Sequence, residues 1–245
     1  MLPVLFALRN LLRENQTIRT ESIPVPYCVR CFIGGDMCLG YPVDLTRVYL
    51  AGHSHNGGFA LACARKFPDK IAAIGTLGNY AGFWPEREMG PETMVVEDEE
   101  IEYMRKNVDV PTVNIVGCCE HMCEYPMYQD QEGNDLDSKL YHWNRRMRAY
   151  RCRELTREDI LAAKDSDDYI ERVLGVPADW TECLYMDGAE NYIADFVNDE
   201  GNRHLRQIGM GNLPHTVTPL MCDLVWNFVR RFAKDPNTGK CVQLF

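Results

Sequence analysis

Long hydrophobic runs and positive charge are both scarce in this sequence. No apolar stretch of its 245 residues approaches the roughly 20 residues that cross a bilayer as a helix. Lysine and arginine together number 26, against 36 aspartates and glutamates, so the formal net charge at pH 7 is −10. Because nucleic acids and anionic membrane surfaces bind basic proteins, this charge argues against both as partners. It favours a small neutral or cationic molecule as the ligand.

Features of a secreted protein are also missing. The first residues have no basic segment and no small-residue cleavage site, and their apolar positions recur at helical spacing, which predicts an amphipathic helix packed on a sheet. The 11 cysteines are scattered and lack the spacing of a disulfide framework, which favours reduced thiols. We therefore predict a cytoplasmic protein. Its length and its 46% of hydrophobic residues fit one large core in a single domain, 1–245.

The stretch 47–69, RVYLAGHSHNGGFALACARKFPD, predicts a strand, a tight turn and a helix. Ser54 lies at the tip of this turn, where a strained backbone exposes a serine hydroxyl above a sheet. The N-terminus of the following helix directs backbone N–H groups toward an anion formed there. We therefore predict Ser54 as a nucleophile and the backbone N–H of His55 as an oxyanion donor, with His53 at the substrate.

Two short pieces of this stretch resemble the α/β-hydrolase superfamily. They are the GHS of 52–54 and the FPD of 67–69, which lies at the spacing that closes the nucleophile helix. Within the superfamily the chain is similar to esterases related to polyhydroxybutyrate depolymerases and feruloyl esterases. It departs from the family's G-x-S-x-G at Asn56, where the second glycine is expected. Because small residues let the helix and strand backbones approach there, we expect a slightly opened turn or a local shift.

The resemblance implies an α/β fold of three layers, with a mostly parallel sheet, helices on both faces and no cofactor. Such folds place several strands before the nucleophile, including a loop that supplies a second oxyanion donor. Only 46 residues precede the stretch that begins at Arg47. We therefore expect a fold shortened at its N-terminus, with 1–46 as an atypical segment. Three explanations stay open: the start of the sequence is truncated, the missing strands come from elsewhere, or the first half of the fold is reduced.

The rest of the chain alternates strand-like and helical patterns. Continuous apolar runs at 70–77 and 110–117 predict buried parallel strands. The segment 136–174 has apolar residues at helical spacing, and we assign the wider range 127–180 to a helical insertion or cap. The runs 190–197 and 204–208 flank a turn rich in Asn and Gly, which predicts a hairpin.

The loop after the strand-like run 110–117 contains the expected triad acid. In the related esterases this acid follows a glycine at the strand end by about three residues, and the corresponding residue is Glu120. A carboxylate there would hold the catalytic imidazole in one tautomer and stabilise its protonated form. Glu124 and Asp130, in the same loop, are alternatives, and Glu120 could also be a solvent-facing carboxylate.

A glycine-containing loop, 209–216, ends near His215 and precedes an amphipathic helix predicted over 220–233. This arrangement resembles the way hydrolases of this type present their triad histidine, so His215 is the predicted general base. The order Ser54, Glu120, His215 agrees with the nucleophile, acid, histidine order of α/β-hydrolases.

The loop that follows the strand-like run 70–77 begins at Gly78 and should lie on the same side of the sheet as the nucleophile. Tyr80, Phe83 and Trp84 follow in sequence and could line a site for an aromatic or acyl group. Ordinary packing under a loop explains them equally well.

Two cysteine-containing patches raise the alternative of a zinc site. One is the CxxC formed by Cys28 and Cys31, and the other is the segment 118–123, CCEHMC. Neither spacing matches a recognised zinc module, and free cysteines are common as small buried hydrophobes. We therefore predict no metal.

These patterns together predict a serine ester hydrolase that acts on a small carboxylic ester through an acyl-enzyme, in a chain that could form a homo-oligomer. Two alternatives stay open. A serine peptidase of the prolyl-oligopeptidase type shares the nucleophile turn and the late histidine, although such enzymes usually carry an accessory domain. A catalytically impaired or inactive relative that binds a ligand or partner, or a fragment, would also retain these features.

Overall fold

A computed structural model describes residues 44–78, 98–107, 110–120, 125–129 and 135–245. Its elements, in chain order, are β1 (Tyr49–His53), α1 (His55–Lys66), β2 (Ala73–Leu77), α2 (Asp98–Asn107), β3 (Thr112–Gly117), α3 (Leu136–Ala149), α4 (Arg157–Ala163), α5 (Tyr169–Leu174), β4 (Trp180–Met186), β5 (Ala189–Phe196), β6 (Leu205–Met210), α6 (Pro219–Val229), β7 (Phe232–Lys234) and β8 (Cys241–Gln243).

Six of the strands form one mixed sheet in the order β1-β2-β3-β6-β5-β4. The first four are parallel to one another, while β5 runs antiparallel to both β6 and β4. β7 and β8 form a separate antiparallel pair. The predicted α/β class with a mostly parallel sheet is therefore confirmed.

Helices cover both faces of the sheet. Because neighbouring residues of a strand point to opposite sides, one strand contacts helices on both faces. On one face Gly75 of β2 leaves room for α6, since a Cβ atom there would lie 2.6 Å from Val225 Cγ1. On the other face Ile74 packs in a cluster with Leu61 of α1 and Ile101 of α2. The burial of every residue of β2 and β3, most of them apolar, follows from this coverage on two sides.

The range 127–180 contains the three helices α3, α4 and α5. α3 begins after Asp135, whose side chain accepts a hydrogen bond from Ser138 N and so caps the helix. Trp143 of α3 is fully buried and packs in one cluster with Phe196 and Leu205 of the sheet. The helix therefore contributes to the core. The assignment of 127–180 as an insertion or cap stays a prediction.

Two parts of the chain differ from the sequence-based expectation. The strand β4, Trp180–Met186, was not predicted, because its residues are mostly half-buried or exposed and carry no alternation of apolar and polar side chains. The last helix was predicted over 220–233 but ends at Val229, and the apolar residues that follow form β7. Most of the predicted N-terminal segment 1–46 lies outside the described residues. In the described parts of the whole chain, no helix is both long and apolar enough to cross a membrane.

Candidate active site

Ser54 lies in a sharp turn between β1 and α1. Its φ of 54° and ψ of −128° place a non-glycine residue in a region of backbone space that is rarely occupied and costs energy. The turn is held on both sides, because Ser54 N donates to Leu77 O at 2.8 Å and Gly57 N donates to Ser54 O at 2.9 Å. The strand before the serine and the helix after it therefore fix the position of its Cα.

Close backbone contact explains why the turn begins with glycine. A Cβ atom on Gly52 would lie 2.1 Å from the carbonyl oxygen of Asn56, which no side chain can tolerate. The glycine required for this close approach is therefore Gly52, two residues before the serine. Asn56, where the resembling family has glycine, contributes its backbone to this contact.

Glu120 follows β3 and is buried, with its side chain only 4% exposed. Its Oε1 accepts a hydrogen bond from Gly117 N at 2.8 Å, which closes a short turn at the strand end. Its Oε2 lies 2.9 Å from His215 Nδ1. Both carboxylate oxygens therefore have donors, and one of them is the imidazole predicted as the general base.

The loop that carries His215 is held against the end of β3. Cys119 N donates to Leu213 O at 2.9 Å. A Cβ atom on Gly117 would lie 2.2 Å from that same Leu213 oxygen, so only glycine permits the approach. From the sequence, Gly117 was predicted only as the end of a strand, although a glycine at the end of a buried strand is a known sign of close backbone contact.

The imidazole of His215 lies over the end of β2. Gly78 follows β2 with a φ of +54°, and a Cβ atom there would lie 2.9 Å from His215 Nδ1 and Cε1. The preceding residue, Leu77, is the one whose carbonyl accepts the hydrogen bond from Ser54 N. Ser54, Glu120 and His215 therefore gather at the carboxyl ends of the neighbouring parallel strands β1, β2 and β3. Open α/β sheets bind their ligands at this edge.

His53 is a second imidazole at this edge. Its ring lies against that of His215, with centroids 4.5 Å apart and planes inclined by 35°. Burial lowers the pKa of His53 from its ordinary value, His215 lowers it further, and Glu120 acts in the opposite direction. Its Nε2 is buried and has no hydrogen-bond partner among the described residues. The site therefore favours a neutral His53.

His55, the predicted oxyanion donor, is exposed and is the first residue of α1. Its backbone N–H is therefore among the first N–H groups of a helix, which have no partner within the helix. Several other predicted residues lie outside the described part of the chain: Tyr80, Phe83, Trp84, Glu124, Asp130, Cys28, Cys31 and Cys123.

From the second cysteine patch, Cys119 is an exposed free thiol and Cys118 is half-buried. In the described ranges there is no group of three or more His, Cys, Asp or Glu residues that could hold a metal ion.

A serine in a strained turn, an imidazole paired with a buried carboxylate and a second imidazole thus lie at this edge. Comparison with known proteins adds no family assignment: the chain matches no protein-family model, and no curated protein has a significantly similar sequence.

Proposed function

We propose that this protein is a serine ester hydrolase with an α/β-hydrolase-type fold, in which Ser54, His215 and Glu120 form a catalytic triad that acts on a small carboxylic ester. The observation that carries the proposal is the hydrogen bond between Glu120 and His215, made beside the strained turn that holds Ser54. The parallel order of β1, β2, β3 and β6 supports it, because it places the three residues at one edge in the chain order of α/β-hydrolases.

Glu120 sets the tautomer of His215. Because its Oε2 accepts a hydrogen bond from Nδ1–H, the proton of the neutral imidazole is held on Nδ1 and Nε2 is left able to accept one. The same carboxylate stabilises the imidazolium that forms when His215 takes the proton of Ser54. The donor at Gly117 N keeps the carboxylate in the orientation that this requires.

The reaction then proceeds by acyl transfer. As His215 Nε2 accepts the hydroxyl proton, Ser54 Oγ bonds to the ester carbonyl carbon, and the carbonyl oxygen becomes an oxyanion near the backbone N–H of His55. The C–O bond to the alcohol breaks, and the imidazolium gives the alcohol its proton. Water, deprotonated by His215, then attacks the acyl carbon of the acyl-enzyme. The bond to Ser54 Oγ breaks, the imidazolium returns its proton to Oγ, and the acid is released.

Hydrolysis of a short p-nitrophenyl ester tests the proposal, together with covalent labelling by a fluorophosphonate. We expect Ser54→Ala to lose both activities. Ser138→Ala is the matched control and should keep both, because Ser138 donates to the capping Asp135 side chain through its backbone N and not through its hydroxyl. Ester hydrolysis retained by Ser54→Ala would discard the assignment. Faster turnover of an aminoacyl p-nitroanilide than of the ester would favour the peptidase alternative.

A further inference from the structure

A row of three side chains crosses the sheet far from the candidate triad. Trp180 of β4 is the register partner of Asp195 on β5, and Asp195 is the register partner of Arg206 on β6. Directly opposed residues of antiparallel strands point to the same face. Arg206 donates from Nε to Asp195 Oδ1 at 2.6 Å and from Nη2 to Oδ2 at 2.8 Å. The fully buried carboxylate of Asp195 is therefore already engaged in a bidentate ion pair.

Two more guanidinium groups adjoin this row. Arg203 lies with its guanidinium 5.2 Å from the Trp180 ring centroid, and its Nη1 is 3.9 Å from Asp195 Oδ2. Arg231, just after α6, lies over the rings of Phe228 and Phe232 at 4.8 Å and 5.3 Å. Aromatic rings thus contact both guanidinium groups and restrict their movement, which reduces the entropy that ligand binding would cost.

The cluster of Arg203, Arg206 and Arg231 has more positive than negative charge. Among the described residues, the Asp195 carboxylate pairs with Arg206, lies near Arg203 and acts on Arg231, so one negative charge faces three positive charges and two are in excess. Burial lowers the pKa of Arg231 to about 10, with Arg206 and Arg203 also lowering it and Asp195 raising it. Among the described residues, Arg231 Nη2 is buried and has no hydrogen-bond acceptor. Such a donor is costly unless an acceptor reaches it.

We propose that Arg203, Arg206 and Arg231 form a binding site for a free phosphate-type oxyanion, either inorganic phosphate or a soluble phosphomonoester. A dianion of this kind balances the two excess charges. Its oxygens fit the forked donors of guanidinium groups, which bind phosphate in bidentate fashion. Arg203 is 46% exposed, so the cluster can be reached from solvent.

This arginine cluster is separate from the candidate triad. Arg206 is near the start of β6, whereas the loop that carries His215 follows the end of that strand. About 13 Å of extended strand separates Arg206 from Met210 at the far end. An oxyanion bound at the cluster would therefore not contact Ser54 or His215.

Calorimetric titration of the full chain with sodium phosphate tests the proposal, with sodium chloride of equal ionic strength as the blank. We expect saturable binding that Arg203→Gln and Arg231→Gln each weaken at least about tenfold, because each removes a charged donor. Arg230→Gln is the matched control. Arg230 is the exposed neighbour of Arg231, lies over Phe245 and is not part of the cluster, so phosphate affinity should be unchanged.

The proposal is overturned if phosphate binds no better than chloride, or if Arg203→Gln binds phosphate as tightly as the unaltered chain. The Arg203 variant decides the matter if Arg231→Gln fails to fold, because the Arg203 side chain is largely at the surface. Sedimentation with vesicles of phosphatidylcholine and phosphatidic acid identifies the source of the oxyanion. If the ligand is a free oxyanion, the protein should not sediment with the vesicles. Sedimentation of the protein that requires Arg203 would assign the cluster to a lipid headgroup and overturn the proposed free ligand.

Discussion

The imidazole rings of His53 and His215 lie 4.5 Å apart, and of the described carboxylates Glu120 is the one bonded to His215. Two positive charges at that distance repel each other, and one carboxylate compensates for only one of them. Because Glu120 is bonded to His215, His53 is the ring that should stay neutral when His215 takes up a proton during the proposed reaction. The lowered pKa of His53, caused first by burial and then by His215, agrees with this division.

This relationship predicts how stability depends on pH. Because the pKa of His53 is lower in the folded than in the unfolded chain, the unfolded chain binds more protons in the window between that lowered pKa and the ordinary histidine pKa of 6.5. The free energy of unfolding should therefore fall as the pH falls through this window. His53→Gln should reduce that dependence, as measured by urea unfolding across the range. His55→Gln, which alters an exposed ring, should keep it, and an unchanged pH slope in His53→Gln would contradict the prediction.

Glu120→Gln should lower kcat far more than it alters KM. Gly117 N donates to one oxygen of the side chain, so the amide oxygen will take that position and its NH2 group will face His215. Nδ1 must then accept a hydrogen bond, so the imidazole proton moves to Nε2. A protonated Nε2 cannot accept the proton of Ser54. Loss of the correct tautomer costs on the order of 10⁴ in kcat in a triad of this kind.

Steady-state kinetics on a p-nitrophenyl ester measure this effect. Glu154→Gln changes a surface carboxylate that pairs with Arg148 and serves as the control. A Glu120→Gln variant with kcat within a few-fold of that of the unaltered chain would show that another acid supports His215.

Gly78→Ala should affect both stability and catalysis. The φ of +54° disfavours alanine by about 1–2 kcal/mol, and the added methyl group would meet the His215 ring at 2.9 Å. Gly188→Ala is a matched control, because Gly188 has a φ of +76° with no atom within 4 Å of its added Cβ. Both variants should lose stability in denaturant unfolding, but only Gly78→Ala should lose ester hydrolysis, by more than about tenfold if the ring is displaced by 1 Å. Equal kcat in the two variants would contradict the placement of His215.

The local elements of this fold could be predicted from sequence, whereas the contacts that assemble the site could not. The apolar runs of β2 and β3 and the turn before α1 are features of neighbouring residues, and the structure confirms them as strands and helix in a mostly parallel sheet. The edge strand β4 was missed, because an edge position removes the burial that creates an apolar pattern.

Long-range contacts are set by packing and leave no local pattern. The approach of Gly117 to the Leu213 carbonyl joins residues 96 positions apart, and that of Gly78 to His215 joins residues 137 positions apart. Each glycine was visible in the sequence, but its partner was not. The catalytic roles of Ser54 and His215 stay predictions until activity is measured.

Trp143 offers a test of whether α3 is part of the main core. Its ring is fully buried and makes an edge-to-face contact with Phe196 of β5, with centroids 5.6 Å apart. Trp143→Ala should therefore cost about 3–5 kcal/mol of unfolding free energy in urea. Trp143→Phe should cost less, because the buried indole N–H has no hydrogen-bond partner among the described residues and phenylalanine removes that donor. If Trp143→Ala lost less than about 1 kcal/mol, or added a separate unfolding transition, α3 would be a detachable cap and not core.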